Sequence, residues 1–573
     1  MILNGDNPQV PAQIEADVVV VGAGIAGIVL ALELSAAGLH LLLVEAGGTA
    51  FARATQDFYR ASTVEPHSHG PVDMFRRRVL GGSSTVWGGR CIPFDPVDFA
   101  ERDWMPHARW PIEYRDVARH YPKALEWLDA GSPEFLTDDS DGGWIASGGD
   151  VVLDRIEKFS PPLDLGAHYR KRLQSTPRLT VLTNAPVSRI LTGGRGAHVR
   201  GVEMAVGAGT RRVVALAEKV VFCTGGIETV RLLLSSDHDR PCGLGNEHDL
   251  VGRFYQCHLE GEVGHIRFDN PADAMAFDYR RTAGGIYCRR YLWLSPEAQR
   301  REQLAGLVLR PSHPNIVDPA HRHPVLSAMY LAKNWIVPEY ARKMTSLEDI
   351  KRQSIMGDTL RARASFHTSH LRNVVGGAPQ LAAFTAGFAR RRTFARRKLP
   401  SVLLHDRRGI YPLDFNAEQE PNPQSRITLG AERDALGMRR VRIDWRTTSA
   451  DHERLAAGLQ LMARALPSGS SMALHFNEDD LAIARERQVP VGGHHIGTVR
   501  MAHNAHEGVC DANCELFGTK GLFLAGAGVF STSGFANPTL TLVALTLRLA
   551  AHIASLADKV PASSAPTPSR LDA

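Results

Sequence analysis

The sequence predicts an α/β protein with a Rossmann-like unit at its start and a change of strand pattern in its middle. Three observations predict it. Residues 17–45 read as strand, glycine turn, helix and strand, ending on an acid. Two later segments, 220–236 and 522–550, each pass from an apolar strand through a glycine turn into an apolar helix. Between them that alternation gives way to turn-separated strands.

Composition sets the outer limits. At 573 residues the chain is too long for one small domain, and 44% hydrophobic against 22% charged residues leaves ample material for a core. A net charge of +5 over this length is too mild to argue for a nucleic-acid partner. The seven cysteines read as reduced, mostly buried thiols of a cytoplasmic protein. Cys510 and Cys514 have no second Cys/His pair at zinc spacing, so no metal is expected. The N-terminal MILNGDNPQVPAQIEAD has neither a basic n-region nor an apolar h-region, and no secretory signal is expected. Polar residues or glycines break the apolar segments before 18 residues, which predicts no transmembrane segment. Residues 557–573, rich in Pro, Ser and Ala, read as a disordered tail.

The elements follow in order. Asp17–Val21 (DVVVV) is a β-branched run suited to a buried parallel strand. Gly22, Gly24 and Gly27 follow at G-x-G-x-x-G spacing and open an apolar helix. Gly22 permits the tight turn, Gly24 lets the backbone approach a pyrophosphate, and Gly27 lets helix and strand pack closely. The next strand, LHLLLV, ends in Glu45, near the ~20-residue offset of an acid that binds a ribose 2′-hydroxyl. This order makes a Rossmann-like dinucleotide site. It leaves FAD and NAD open, since both carry adenosine diphosphate, and the acid disfavours NADP.

Residues 78–95, RVLGGSSTVWGGRCIPFD, form a glycine-rich loop with hydroxyls and one indole. Its glycines allow close approach to a flat ring, with Trp87 beside it; an ordinary surface loop has the same composition. GGSST-x-W-G-G resembles the flavin-embracing segment of the glucose–methanol–choline (GMC) oxidoreductases, closest to the pyranose oxidase and fructose or gluconate dehydrogenase branch. That resemblance implies FAD, with Ala26, Gly82, Ser83 and Trp87 joining the turn glycines and Glu45 in holding it. Some relatives carry a histidine beside the tryptophan that bonds the flavin covalently. Val86 stands there in this chain, which implies non-covalent FAD. TVLTNAPVSRIL (180–191) resembles the strand whose backbone, at Val187, meets the adenine. VVFCTGGIETVRLLLSS (220–236) resembles the strand–turn–helix that returns to the FAD-binding domain. CGLGNEHDLVGRFYQCHLEG (242–261) is also family-like, but relatives have Asp-His-Pro where this chain has Cys257-His258-Leu259. His258 is therefore read as a buried structural histidine.

In the middle of the chain, 418–429 and 438–447 read as turn-separated strands of the antiparallel sheet that roofs the flavin in this family. Residues 380–398 combine Phe384, Phe388 and Phe394 with a basic run. The segment reads as a core-packed helix with a solvated basic face; the alternative is docking on a membrane, an acidic partner or an electron acceptor.

The chemistry is expected near the C-terminus. Removing a hydride from a carbinol carbon is easier when a positioned base takes the hydroxyl proton, and histidine titrates near working pH. GGHHIGTVRM (492–501) matches the family's H-x-x-G-T motif with His494 as the base, and His495 is read as structural. In G-x-x-N-P-T-L-T, Asn537 stands where relatives place the hydrogen-bonding partner, either His or Asn. Gly526 marks the turn after LFL, and Asn537, Pro538 and Thr539 open the last helix toward the flavin.

The resemblance implies a discontinuous FAD-binding domain, 1–264 and 471–556, enclosing a substrate-binding domain at 265–470 that is built on an antiparallel β-sheet with helices. It implies hydride abstraction from a CH–OH group, most simply a secondary hydroxyl of a sugar or glycoside, giving a keto-sugar. The alternatives are an apolar sterol, terpenoid or aryl alcohol, a redox-neutral flavin lyase, and an FAD-binding electron-transfer or scaffold subunit. The electron acceptor is oxygen, a quinone or a protein, and a small partner subunit or homo-oligomer fits the same branch.

Overall fold

The computed structural model describes residues 1–65, 69–137, 149–161, 163–336, 360–466, 471–486 and 493–557. The expected tail lies, from residue 558 on, outside the described residues.

The strand Val18–Val21 is buried along its whole length, as a β-branched run inside a parallel sheet should be. It sits at the middle of a six-stranded sheet in the order Ile2–Asn4, Leu179–Thr183, Leu41–Val44, Val18–Val21, Lys219–Phe222, Leu522–Leu524. Every neighbouring pair is parallel. Strands from both ends of the chain thus share one sheet. Helix Ile25–Ala36 follows the glycine turn, and Ile28, Val29, Leu30, Ala31 and Leu34 are fully buried. Helix Thr539–Ala557 packs beside it.

That last helix corrects one expectation. Among the described residues, Thr539–Ala557 alone is long and apolar enough to cross a membrane, with a mean hydropathy of 1.7. Its apolarity has a nearer cause: Leu540, Val543, Ala544, Leu547 and Ile553 are buried in the core.

A second six-stranded sheet runs Met472–His475, Leu259–Phe268, Ile410–Ala417, Leu307–Pro311, Leu292–Leu294, Val151–Val152. All its pairs are antiparallel. A division at 264/265 would cut the strand Leu259–Phe268, and one at 470/471 would part Met472–His475 from the strand it pairs with. We therefore propose that the substrate-binding unit starts just before Leu259 and takes in 472–475. The strands at Arg426–Arg433 and Arg439–Asp444 do not join this sheet, contrary to expectation. They pair with each other and then with Ser62–Thr63 in a separate three-stranded sheet. Period-two patterning identifies strands but not their partners.

Helix Ala378–Arg392 also departs from expectation, since none of its residues is fully buried. Phe384 and Phe388 stack with centroids 5.6 Å apart, and Phe388 packs on the small cluster of Phe159, Tyr287 and Leu399. Phe394 is 82% exposed. The basic run is partly tied down: Arg392 donates to the Pro400 carbonyl at 3.0 Å, and Arg397 pairs with Asp129 at 2.7 Å.

Candidate active site

The glycine turn opens the site. Gly22 has φ +98°, and a Cβ there would meet the Cys223 carbonyl oxygen at 2.7 Å. Gly27 holds the helix against the turn: its Cβ would lie 1.8 Å from the Gly22 oxygen. It does not line the cavity, so its part is packing rather than contact with a cofactor. Gly24 caps the helix, whose first amides point into a cavity of about 780 Å³.

That cavity gathers candidates from far apart in sequence. Gly22, Gly24, Ala26, Glu45, Gly82, Ser83, Trp87, Val187, Gly526, Asn537, Pro538, Thr539 and His494 all line it. Glu45 is fully engaged by backbone: Ala23 N–H donates to Oε2 at 2.9 Å and Gly47 N–H to Oε1 at 2.8 Å. Burial pushes its carboxyl up to about 7, against the pull of those amides and of Arg78. Trp87 donates through Nε1 to the Leu163 carbonyl at 3.0 Å, which fixes the indole at the wall. Arg78, at the head of the glycine-rich segment, lines the cavity as well, as do Arg76, Phe58 and Tyr59, which no motif singled out. The Arg76–Glu228 ion pair at 2.9 Å joins the loop before GGSST to the helix Gly225–Leu234.

At the other end, His494 and His495 turn to different partners. Asn537 Nδ2 lies 3.1 Å from His494 Nε2, and His258 Nδ1 lies 2.9 Å from His494 Nδ1. His495 Nδ1 meets the Tyr255 hydroxyl at 2.7 Å, which also meets His69 Nε2 at 2.7 Å. Burial, then Arg76, holds the His495 imidazole well below its usual range. A carboxylate stands beside the His258–His494 pair, with Glu260 Oε1 at 4.0 and 3.9 Å from the two Nδ1 atoms. Neither His258 nor Glu260 was a sequence candidate.

The antiparallel sheet presents a polar face to this end of the cavity. Register places Glu260 opposite Asn416, and Arg310 opposite Asp414. Alternation puts Asp414 and Asn416 on one side of their strand. Glu260, Arg310, Asp414 and Asn416 line the cavity together with Arg90, Tyr279 and Ser401. Arg310 is paired to Glu157 at 2.9 Å, and Arg90 to the same carboxylate at 3.2 Å.

Two family models match the chain: "FAD dependent oxidoreductase" over residues 17–243 and "GMC oxidoreductase" over residues 421–546. The chain belongs to the GMC oxidoreductases. A C-glycoside 3-oxidase of Arthrobacter globiformis is 36% identical over 21% of this chain and 22% of its own length. An oxygen-dependent choline dehydrogenase of Photobacterium profundum is 27% identical over 43% of this chain and 52% of its own. The chain thus matches between about a fifth and a half of these relatives' lengths. An FAD-dependent oxidoreductase from Chaetomium thermophilum shares the fold, with TM-score 0.52 and 15% identity over 95% of this chain and 100% of that one.

FAD is the cofactor of this GMC chain, and the cavity fits it. Gly88, Gly225 and Gly526 line the cavity with nothing within 4 Å of where a Cβ would stand, so side chains there would fill the cradle. The buried Oδ1 of Asn537 has no protein partner. A helix N-terminus and a buried acid near one end suit a pyrophosphate and a ribose.

Proposed function

We propose that this GMC protein oxidises a secondary hydroxyl of a sugar or glycoside to a ketone, with His494 as general base and Asn537 as its partner. The observation that carries the reading is the 3.1 Å contact of Asn537 Nδ2 with His494 Nε2 at the cavity end under a polar sheet face. An incoming hydroxyl takes the place of that contact, accepting from Asn537 Nδ2 and giving its proton to His494 Nε2. FAD, when bound, supplies the hydride acceptor. Glu260, 3.9 Å from His494, stabilises the imidazolium that results.

The wall argues for a polyhydroxy substrate. Arg90, Glu260, Tyr279, Ser401, Asp414 and Asn416 give the cavity a polar face that suits the hydroxyls of a sugar better than the apolar body of a sterol or terpenoid. The C-glycoside 3-oxidase relatives support the same class by name. FAD is held without a covalent bond, since Val86 offers no nucleophile at the position beside Trp87. The acceptor that restores the oxidised cofactor is oxygen, a quinone or a protein.

The test is anaerobic bleaching of the bound flavin by a panel of sugars, glycosides, choline and apolar alcohols, followed by admission of air. Bleaching by sugars or glycosides is expected, and recovery in air separates oxidase from dehydrogenase. Bleaching only by choline or by apolar alcohols would overturn the substrate class. A flavin that stays oxidised with every alcohol would overturn the reaction class.

A further inference from the structure

We propose that His258 is the positioning residue that fixes which nitrogen of His494 acts as the base, by accepting a hydrogen bond from His494 Nδ1–H. This rests on the reading of His494 as base and deepens it.

The argument runs inward from a carbonyl. His258 Nε2 lies 3.2 Å from the Ser533 carbonyl oxygen, and a carbonyl only accepts, so Nε2 carries the proton. His258 is 1% exposed, and burial pulls its imidazole down to about 4, so it stays neutral and Nδ1 is a bare lone pair. His258 Nδ1 stands 2.9 Å from His494 Nδ1. Two lone pairs do not share that distance, so the proton between them belongs to His494 Nδ1. That leaves His494 Nε2 bare on the side where Asn537 stands, ready to take a proton. It also fixes the Asn537 amide with Nδ2 toward His494, since Oδ1 there would face a second lone pair.

The chain of bonds is Asn537 Nδ2–H to His494 Nε2, His494 Nδ1–H to His258 Nδ1, His258 Nε2–H to the Ser533 oxygen. A catalytic histidine oriented by a carboxylate gains charge stabilisation and tautomer from one group. Here the duties divide: His258 sets the tautomer, and Glu260, beyond hydrogen-bond reach at 3.9 Å, supplies the charge.

The test compares His258→Leu, His258→Asn and His494→Ala, each loaded with FAD, by the anaerobic rate of flavin reduction with the best substrate. His258→Leu is expected to slow reduction by roughly 10²-fold or more, with KM changed only a few-fold. His258→Asn, whose Oδ1 accepts as Nδ1 does, is expected to recover to within about tenfold of wild type. Independently of turnover, ¹⁵N spectra of histidine-labelled protein, assigned by loss of a signal in His494→Ala, should place the His494 proton on Nδ1.

His258→Leu at wild-type speed beside a slow His494→Ala would overturn the positioning role and leave the base intact. A His494→Ala variant at wild-type speed would overturn the base reading itself. If His258→Leu does not fold, the other two measurements decide. His258→Asn slowed by 10²-fold at full FAD loading, or a His494 proton found on Nε2, ends the proposal.

Discussion

His494 is held from both sides, and its worth is measurable one substitution at a time. His494→Ala should slow flavin reduction by roughly 10²–10⁴-fold, the usual contribution of a general base, while FAD stays bound. Stopped-flow single turnovers check it, and near-normal reduction would remove His494 from the chemistry. Glu45 makes a second prediction at this scale. Its folded-state value of about 7 lies above the ordinary 4.5 of such a carboxyl, so between those two pH values the folded state binds more protons than the unfolded one. Stability of the FAD-free protein therefore falls as pH rises through that window and levels off above it. Glu45→Gln carries no such proton, so its melting temperature should gain on wild type from pH 4.5 to 7, by an amount worth about 3 kcal/mol at most. A constant gap across that range would mean the buried carboxyl is not protonated. Val86 gives the simplest test: acid precipitation should leave the yellow colour in the supernatant, and colour in the pellet would show a covalent bond.

Glycines at the level of elements divide into two kinds, and the distinction predicts opposite behaviour. Gly27 packs helix against turn, with the Gly22 oxygen 1.8 Å from a would-be Cβ, so Gly27→Ala must push the helix Ile25–Ala36 off its strand. Overpacking of this kind costs roughly 1–3 kcal/mol, and the FAD-free protein should melt earlier. Gly88 has open space in the same test, so Gly88→Ala should leave that melting temperature unchanged and lower the flavin-to-protein absorbance ratio after gel filtration. Equal effects of the two on melting would refute the division. The same contrast explains what was legible in the sequence. The strand–turn–helix units were, because spacing within some 30 residues encodes them. His494 and Asn537 were legible as candidates for the same reason, each lying in a short motif. His258 was not: it meets His494 from 236 residues away, where a bridge between Gln256 and Ile496 joins their two segments. Nor did the patterns at 418–429 and 438–447 reveal that their partner is Ser62–Thr63, since a strand's periodicity says nothing of its neighbour.

Across the whole molecule, the site exists only where the two sheets meet. The parallel sheet supplies the cradle, the antiparallel sheet supplies the polar face, and His494 and Asn537 arrive on the returning C-terminal segment. One buried ion pair ties these parts together. Arg102 donates through Nη1 and Nη2 to the two oxygens of Glu418, each at 2.6 Å, and both side chains are almost wholly buried. Arg102 follows the short helix Pro96–Phe99, and Glu418 follows the strand Ile410–Ala417 whose Asp414 and Asn416 line the cavity. A paired buried charge adds little net stability over an apolar pair, but an orphaned one costs about 3–5 kcal/mol. Arg102→Met and Glu418→Leu should therefore each lower the urea midpoint of the FAD-loaded protein strongly, because each leaves a charge in the core. The double variant removes both charges and should lose much less than the sum of the two. Losses that simply add would mean that each side chain acts through its own packing, and that the ion pair does not couple the two segments.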